Sequence, residues 1–183
     1  EKYINDHTQL ILTDIEKNFS QIFSKQAMKE GKNYLSLQIA QRLTKNFLQF
    51  EKKMIAESSR KNEKIKIVAK EIELSSNLFV DGVDFRLTGK IDRVDIKGDT
   101  LRIIDYKSGK VEQGELSFTD FNELIDDPKK SKVFQLLMYA YLYLKNYPQY
   151  IDSNIVVGNF SFKNLKSGLL KVNQKTSKRE SKI

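Results

Sequence analysis

The stretch "IDRVDIKGDTLRIIDYKSG", residues 91–109, decides how the rest of the chain is read. Gly98 and Asp99, near its middle, suit a two-residue hairpin turn with glycine at the first central position. With those two as the loop, Lys97 faces Thr100, Ile96 faces Leu101, Asp95 faces Arg102, Val94 faces Ile103 and Asp92 faces Asp105. Residues directly opposed point to the same side of the sheet, with β-carbons about 5 Å apart. One face therefore carries Val94, Ile96, Leu101 and Ile103 with two carboxylates at its end, and Lys107 returns to that face by strand periodicity. Asp95 and Arg102 form a compensating pair behind it. A slip of one residue would scatter the whole set.

Two neighbouring carboxylates repel, and partial burial further disfavours their ionised forms. A divalent cation reverses that penalty. Magnesium takes one oxygen from each acid and keeps several waters, so Asp92 and Asp105 are expected as metal ligands. Lys107 is placed to orient an attacking water and to stabilise negative charge developing on a scissile phosphate. Glu71, in "KIKIVAKEIEL" (residues 64–74), shares a face with Glu73 and is expected as an additional metal or water ligand; the alternative is a solvated strand edge. Gln135 and Tyr139 lie four apart in "KVFQLLMYAYLYLKNY" (residues 132–147), on one side of a helix. The amide donates and accepts, and the tyrosine offers a phenol and a ring platform. The alternative there is a buried helix whose tyrosines have polar tips.

Composition narrows the chemistry. The chain has 183 residues, 39% hydrophobic and 31% charged, which suits one soluble globular domain spanning 1–183. It has no cysteine, and His7 is its single histidine. Thiolate catalysis, disulfides and cysteine-ligated clusters are excluded, and a metal centre must be mainly oxygen-ligated, favouring Mg2+ or Mn2+. A net charge of +8 favours a polyanionic partner. No apolar run approaches the ~20 residues that span a bilayer, and no secretion signal is evident, so no membrane partner and a cytoplasmic location are expected. Because the chain opens on Glu1, it is expected to belong to a longer polypeptide.

Hydrophobic spacing predicts an amphipathic helix over residues 6–30, with Leu10, Ile11, Ile15, Phe19, Ile22 and Phe23 inward and Gly31 as its stop. A second helix is expected over 35–58, burying Ile39, Leu43, Phe47, Phe50 and Met54. Residues 64–74 and 83–96 read as strands joined by a turn-rich link. The helix over 132–147 ends before Pro148, residues 154–163 form another strand and 168–172 a short edge strand. Residues 173–183 are expected as a basic solvated tail. Two helices, three extended segments, a helix and further strands make an α/β domain with a mixed central sheet flanked by helices. Lys90, Arg93, Lys110 and Lys132 are candidate contacts to a phosphate backbone.

The chain resembles the PD-(D/E)XK nuclease superfamily, in particular its RecB-like branch, in "GKIDRVD" (89–95), "IIDYKSG" (103–109) and "QLLMY" (135–139). The resemblance implies a restriction-endonuclease-like nuclease core, Asp92 and Asp105 as metal ligands, Lys107 as the catalytic lysine, and Gln135 and Tyr139 near substrate. Glu71 is similar to an acidic position upstream of the first aspartate. DNA is the implied substrate, and an exonuclease module beside a helicase domain or subunit the implied context. Ile91 stands where the superfamily's name places proline, and "EGKNYLSLQIAQ" (30–41) lacks the histidine that many branch members carry; Gln38 or Glu71 would fill that role. A catalytically weak DNA-binding or scaffold module is the alternative function.

Overall fold

A computed structural model describes residues 2–176. The chain divides at Glu63 and Lys64 into two compact units. The first is a pair of helices, α1 (Lys2–Ile22) and α2 (Gly31–Arg60). On α1 the inward stripe runs through Ile4, Thr8, Ile11, Leu12, Ile15 and Phe19, and Leu10 and Ile22 are exposed, contrary to expectation. The first helix also ends earlier than expected. Gly31 does not stop it but opens α2 with a φ of 66°, a value open to glycine because it lacks a β-carbon. Leu37 and Met54 are buried on α2, while Ile39 is exposed. Apolar residues at helical spacing fit more than one stripe on each helix, and the phase of the buried one is set by what packs against it.

The second unit is built on a five-stranded mixed sheet in the order β1 (Ile65–Val80), β2 (Val83–Lys97), β3 (Thr100–Lys107), β5 (Asn154–Ser161) and β6 (Leu170–Lys171). Strands β1 (Ile65–Val80) and β2 (Val83–Lys97) form a long antiparallel hairpin. The turn-rich link expected after residue 74 is mostly strand. Its only turn is Asp81–Gly82, with φ of 49° and 81°, the positive pair that a primed two-residue turn requires. Strand β3 (Thr100–Lys107) pairs antiparallel with β2 from Lys97↔Thr100 through Ile96↔Leu101, Asp95↔Arg102 and Val94↔Ile103 to Arg93↔Ile104. That is the expected register, and Gly98 has a φ of 62° at the turn.

After β3 come a short strand β4 (Ser117–Phe118), a one-turn helix α3 (Glu123–Asp126) and the long helix α4 (Ser131–Asn146), which ends before Pro148. Strand β5 (Asn154–Ser161) then runs parallel to β3, with Asp105 opposite Asn159 and Lys107 opposite Ser161. Antiparallel neighbours can be joined by a hairpin, but parallel ones need a crossover, and α4 supplies it. Val133, Leu136, Leu142 and Tyr143 of α4 join Val94, Leu101, Ile103 and Val157 of the sheet in the hydrophobic core. Strand β6 (Leu170–Lys171) closes the edge against β5. The expected tail begins otherwise: Asn173–Gln174 form β7, parallel to β4, and the Lys175 amide donates to the Phe118 carbonyl at 2.7 Å. Two backbone segments with free donors and acceptors pair there although the side chains are polar; residues 177–183 of that expected tail lie outside the described ones.

The face of β2 and β3 opposite Val94 and Ile103 buries a charged cluster beside Ile91 and Ile104. Asp95 is fully buried and takes a fork of bonds from Arg102, Nε to Oδ1 at 2.6 Å and Nη2 to Oδ2 at 2.8 Å. Arg93 adds Nε and Nη2 to Oδ2 at 2.7 and 2.6 Å. Arg93 is therefore an internal partner of Asp95, not the backbone contact expected of it; it shares Asp95's face of β2, and the burial of that face in the fold decides its role. Removing the shared carboxylate leaves two buried guanidinium groups without their anion. Asp95→Ala is expected to lose ~3–5 kcal/mol of stability, read as a lower urea midpoint. Gly158→Ala should also destabilise the sheet, because an added β-carbon would sit 2.3 Å from the Leu170 carbonyl oxygen across the β5–β6 pair.

Candidate active site

Past Arg93↔Ile104 the next opposed pair would be Asp92 and Asp105, and here the regular ladder between β2 and β3 ends. The Asp92 side chain takes over: its Oδ2 accepts from the Tyr106 amide at 2.7 Å. A carboxylate thus occupies the place of a backbone carbonyl and is fixed by the strand it faces. Asp105, on the neighbouring strand, is almost wholly buried. Its Oδ2 receives Lys107 Nζ at 2.9 Å and Asn159 Nδ2 at 2.8 Å. Lys107 Nζ also donates to Gln135 Oε1 at 2.9 Å, and Gln135 Nε2 donates to the Tyr139 hydroxyl at 2.8 Å. Asp105, Lys107, Gln135 and Tyr139 therefore form one continuous polar chain from strand to helix.

Gly89 permits the helix to approach this closely. A β-carbon at that position would stand 2.9 Å from Leu142 Cδ1 and 3.2 Å from the Tyr139 ring. The tyrosine is thus seated against the bare backbone of β2, three residues from Asp92. Leu136 is fully buried beside Gln135, so the helix packs through its apolar stripe while an adjacent strip presents the amide and the phenol.

Burial pushes the Asp105 carboxyl up from its ordinary pKa, Lys107 pulls against that by hydrogen bond and charge, and the negative charge of Asp92 adds to the rise. Tyr139 is also pushed up, chiefly by burial and further by the charges of Asp105 and Asp92, so it keeps its proton and remains a donor at neutral pH. The two acids and the tyrosine therefore share one electrostatic neighbourhood. Each carboxylate is anchored through Oδ2, and among the described residues no protein group donates to Oδ1 of either. Two fixed carboxylates, each with one oxygen left over, match a small hard cation that retains waters.

Glu71 lies elsewhere in the contact network. It adopts a φ of 50° on β1 and pairs with Lys90 at 2.5 Å, both side chains more than half exposed. Among the described residues no group of three or more His, Asp or Glu side chains is assembled to hold a metal ion. Gln38 is exposed on α2 in the helical unit. Of the remaining candidate backbone contacts, Lys110 pairs with Glu112 and Lys132 with Glu115, each at 2.5 Å. Asn159 is a part of the site that the sequence did not reveal. It comes from β5, and only the parallel register of β3 and β5 sets it beside Asp105. Its Nδ2 also reaches the Asp105 carbonyl oxygen at 3.3 Å, while its buried Oδ1 has no hydrogen-bond partner. An unmade bond at a buried amide oxygen costs about 1–3 kcal/mol.

The family model of the PD-(D/E)XK nuclease superfamily matches residues 5–182. This chain belongs to the PD-(D/E)XK nuclease superfamily. The mixed five-stranded sheet with its helices agrees with the restriction-endonuclease-like fold of that superfamily. Its members are typically nucleases, which act on DNA and generally use divalent metals such as Mg2+. No curated protein matches the chain. Among the described residues no helix is long and apolar enough to cross a membrane.

The uneven treatment of its acids makes a test of this PD-(D/E)XK site possible without DNA. Asp95 is fully supplied with donors, whereas Asp105 is held buried against the cost of its charge. For a carboxyl raised in the folded state, the folded protein binds more protons than the unfolded, so stability falls as pH rises through and above the ordinary carboxyl range. Metal-free Asp105→Asn should lack that contribution and melt at or above the wild-type temperature at neutral pH. A loss of stability as large as that of Asp95→Ala would instead make Asp105 a structural acid.

Proposed function

We propose that this protein is a divalent-metal-dependent deoxyribonuclease that hydrolyses phosphodiester bonds, with Asp92 and Asp105 as metal ligands and Lys107 as the catalytic lysine. The observation that carries this reading is the continuous chain Asp105–Lys107–Gln135–Tyr139 beside the anchored Asp92. The residues present fit Mg2+ or Mn2+, since both leftover donors are carboxylate oxygens. When bound at Asp92 and Asp105, such an ion would lower the pKa of a water and draw charge from the scissile phosphate.

The chain's own groups do the rest. Lys107, held between Asp105 and Gln135, keeps its ammonium at a fixed point, where it orients the attacking water and offsets negative charge on phosphate oxygens. Gln135 accepts from the lysine with its carbonyl and donates with its amide nitrogen, so it sets the lysine's direction and passes that order to Tyr139. Tyr139, protonated, offers a donor or a ring face to substrate. Glu71 is the proposed further ligand or water contact, reached by exchanging Lys90 for the metal or its water.

The RecB-like branch, exonuclease action on a DNA end in repair or recombination, a single nuclease-like domain over 1–183, a helicase domain or subunit as partner and a cytoplasmic setting complete the proposal. The motif order at 89–95, 103–109 and 135–139 supports the branch and, through it, the exonuclease and helicase context. One observation favours a second reading, a weak or inactive DNA-binding or scaffold module: Glu71 is engaged with Lys90 rather than with the two aspartates.

The deciding experiment compares wild type with Asp105→Ala and Lys107→Ala on end-labelled single-stranded and duplex DNA, with Mg2+, Mn2+ or chelator. Cleavage should require metal and fall by at least about 10²-fold in each variant. Product lengths distinguish exonuclease from endonuclease action. DNA binding without cleavage under every metal would favour the scaffold reading.

A further inference from the structure

Asn159 is buried, sits on a strand remote in sequence from every motif residue, and directs both reaches of its amide nitrogen at Asp105: Oδ2 at 2.8 Å and the main-chain oxygen at 3.3 Å. The orientation of the amide is fixed by this pairing. Turned over, its oxygen would face a carboxylate and a carbonyl, two acceptors with no proton between them. The price of the observed orientation is an Oδ1 with no hydrogen-bond partner in a fully buried position. Packing alone gives no reason for such an amide, because an apolar side chain would leave no polar atom unmet.

The consequence falls on Asp105. Its Oδ2 is occupied twice, by Asn159 and by Lys107, and these two donors arrive from different elements, β5 and β3. The Lys107 contact comes from a flexible side chain that Gln135 also engages. The Asn159 contact comes from a short side chain on a strand whose register against β3 is fixed by a continuous ladder from Thr100↔Asn154 to Lys107↔Ser161. Ser161 continues the same support: its hydroxyl donates to the Gly109 carbonyl at 2.8 Å and accepts from the Val111 amide at 3.1 Å, tying down the chain that leaves Lys107.

We propose that Asn159 is a positioning residue for metal capture: by holding Asp105 through Oδ2, it keeps Oδ1 turned outward as the ligand atom and leaves Lys107 free to attend to substrate. This inference rests on the reading of Asp92 and Asp105 as metal ligands. Without Asn159 the carboxylate has only the lysine as donor among the described residues, and the lysine is then held back from the phosphate. Groups that hydrogen-bond a metal's ligands commonly alter affinity by about 10–100-fold when removed.

The test measures Mn2+ binding to the DNA-free protein by electron paramagnetic resonance, alongside thermal melting, for wild type, Asn159→Leu and Asp105→Asn. Asn159→Leu is expected to weaken Mn2+ binding by about 10-fold or more, with a cooperative melting transition showing that the variant is folded. Unchanged affinity in Asn159→Leu would overturn the proposal, whatever its melting temperature. Unchanged affinity in Asp105→Asn, or no binding by wild type, would overturn the metal-site reading itself, so the two failures are distinguishable. A measurement on wild type guards against a variant that does not fold: the side-chain amide resonance of Asn159 should shift on Mg2+ titration with the midpoint of binding, and a resonance that stays fixed through saturation would also overturn the proposal.

Discussion

The pairing of β2 with β3, locked by the buried carboxylate of Asp95, is the constraint on which the rest of this protein depends. Arg102 grips both oxygens of Asp95 from the facing strand, and Arg93 adds its own pair of donors from two residues away. A shift by one residue would set Arg93 and Asp95 on the face opposite Arg102, breaking the cluster and leaving charge in the apolar layer beneath α4, at a cost no local rearrangement offsets. The same register sends Val94 and Ile103 inward to α4 and brings Asp92 up to β3. Because β3 is then extended and fixed, β5 can pair with it in parallel and deliver Asn159 to Asp105.

The two faces of this strand pair treat acids in opposite ways. Asp95 is surrounded by donors and has no solvent contact, as a structural carboxylate should be. Asp105 is nearly as buried but is held with its ionised form disfavoured, with the charge of Asp92 making matters worse. A fold gains nothing from such an arrangement on its own account. Acids perturbed in this way cluster at functional sites, and the polar chain through Lys107, Gln135 and Tyr139 starts from that same carboxylate.

Much of the sheet was legible from residue order. Gly98–Asp99 set the hairpin register because a two-residue turn leaves no freedom in how its flanking strands pair, and Pro148 marked the end of α4 because it carries no amide donor. The two-helix unit was less legible. Leu10, Ile22 and Ile39 fit helical spacing as well as Leu12 and Leu37 do, and only packing decides between them. The turn at Asp81–Gly82 lies within the expected turn-rich link, but the extension of β1 through Val80 is not legible there, because residues 75–77 are polar enough to resemble a loop. The β4–β7 pairing joins segments of two residues each, too short to leave any periodic mark.

For the candidate site, the sequence by itself determined which residues share one hairpin or one helix face: Asp92, Asp105 and Lys107 through strand alternation, Gln135 with Tyr139 through four-residue spacing. Such relations are local, fixed by backbone geometry over a few residues. Tertiary structure alone decided the rest. Arg93 turned inward to Asp95, Glu71 paired with Lys90, and Asn159 arrived at Asp105 from 54 positions away. Those outcomes depend on which strand lies beside which and in what register, and a parallel pairing made through a crossover helix leaves no turn in the sequence from which that register can be counted.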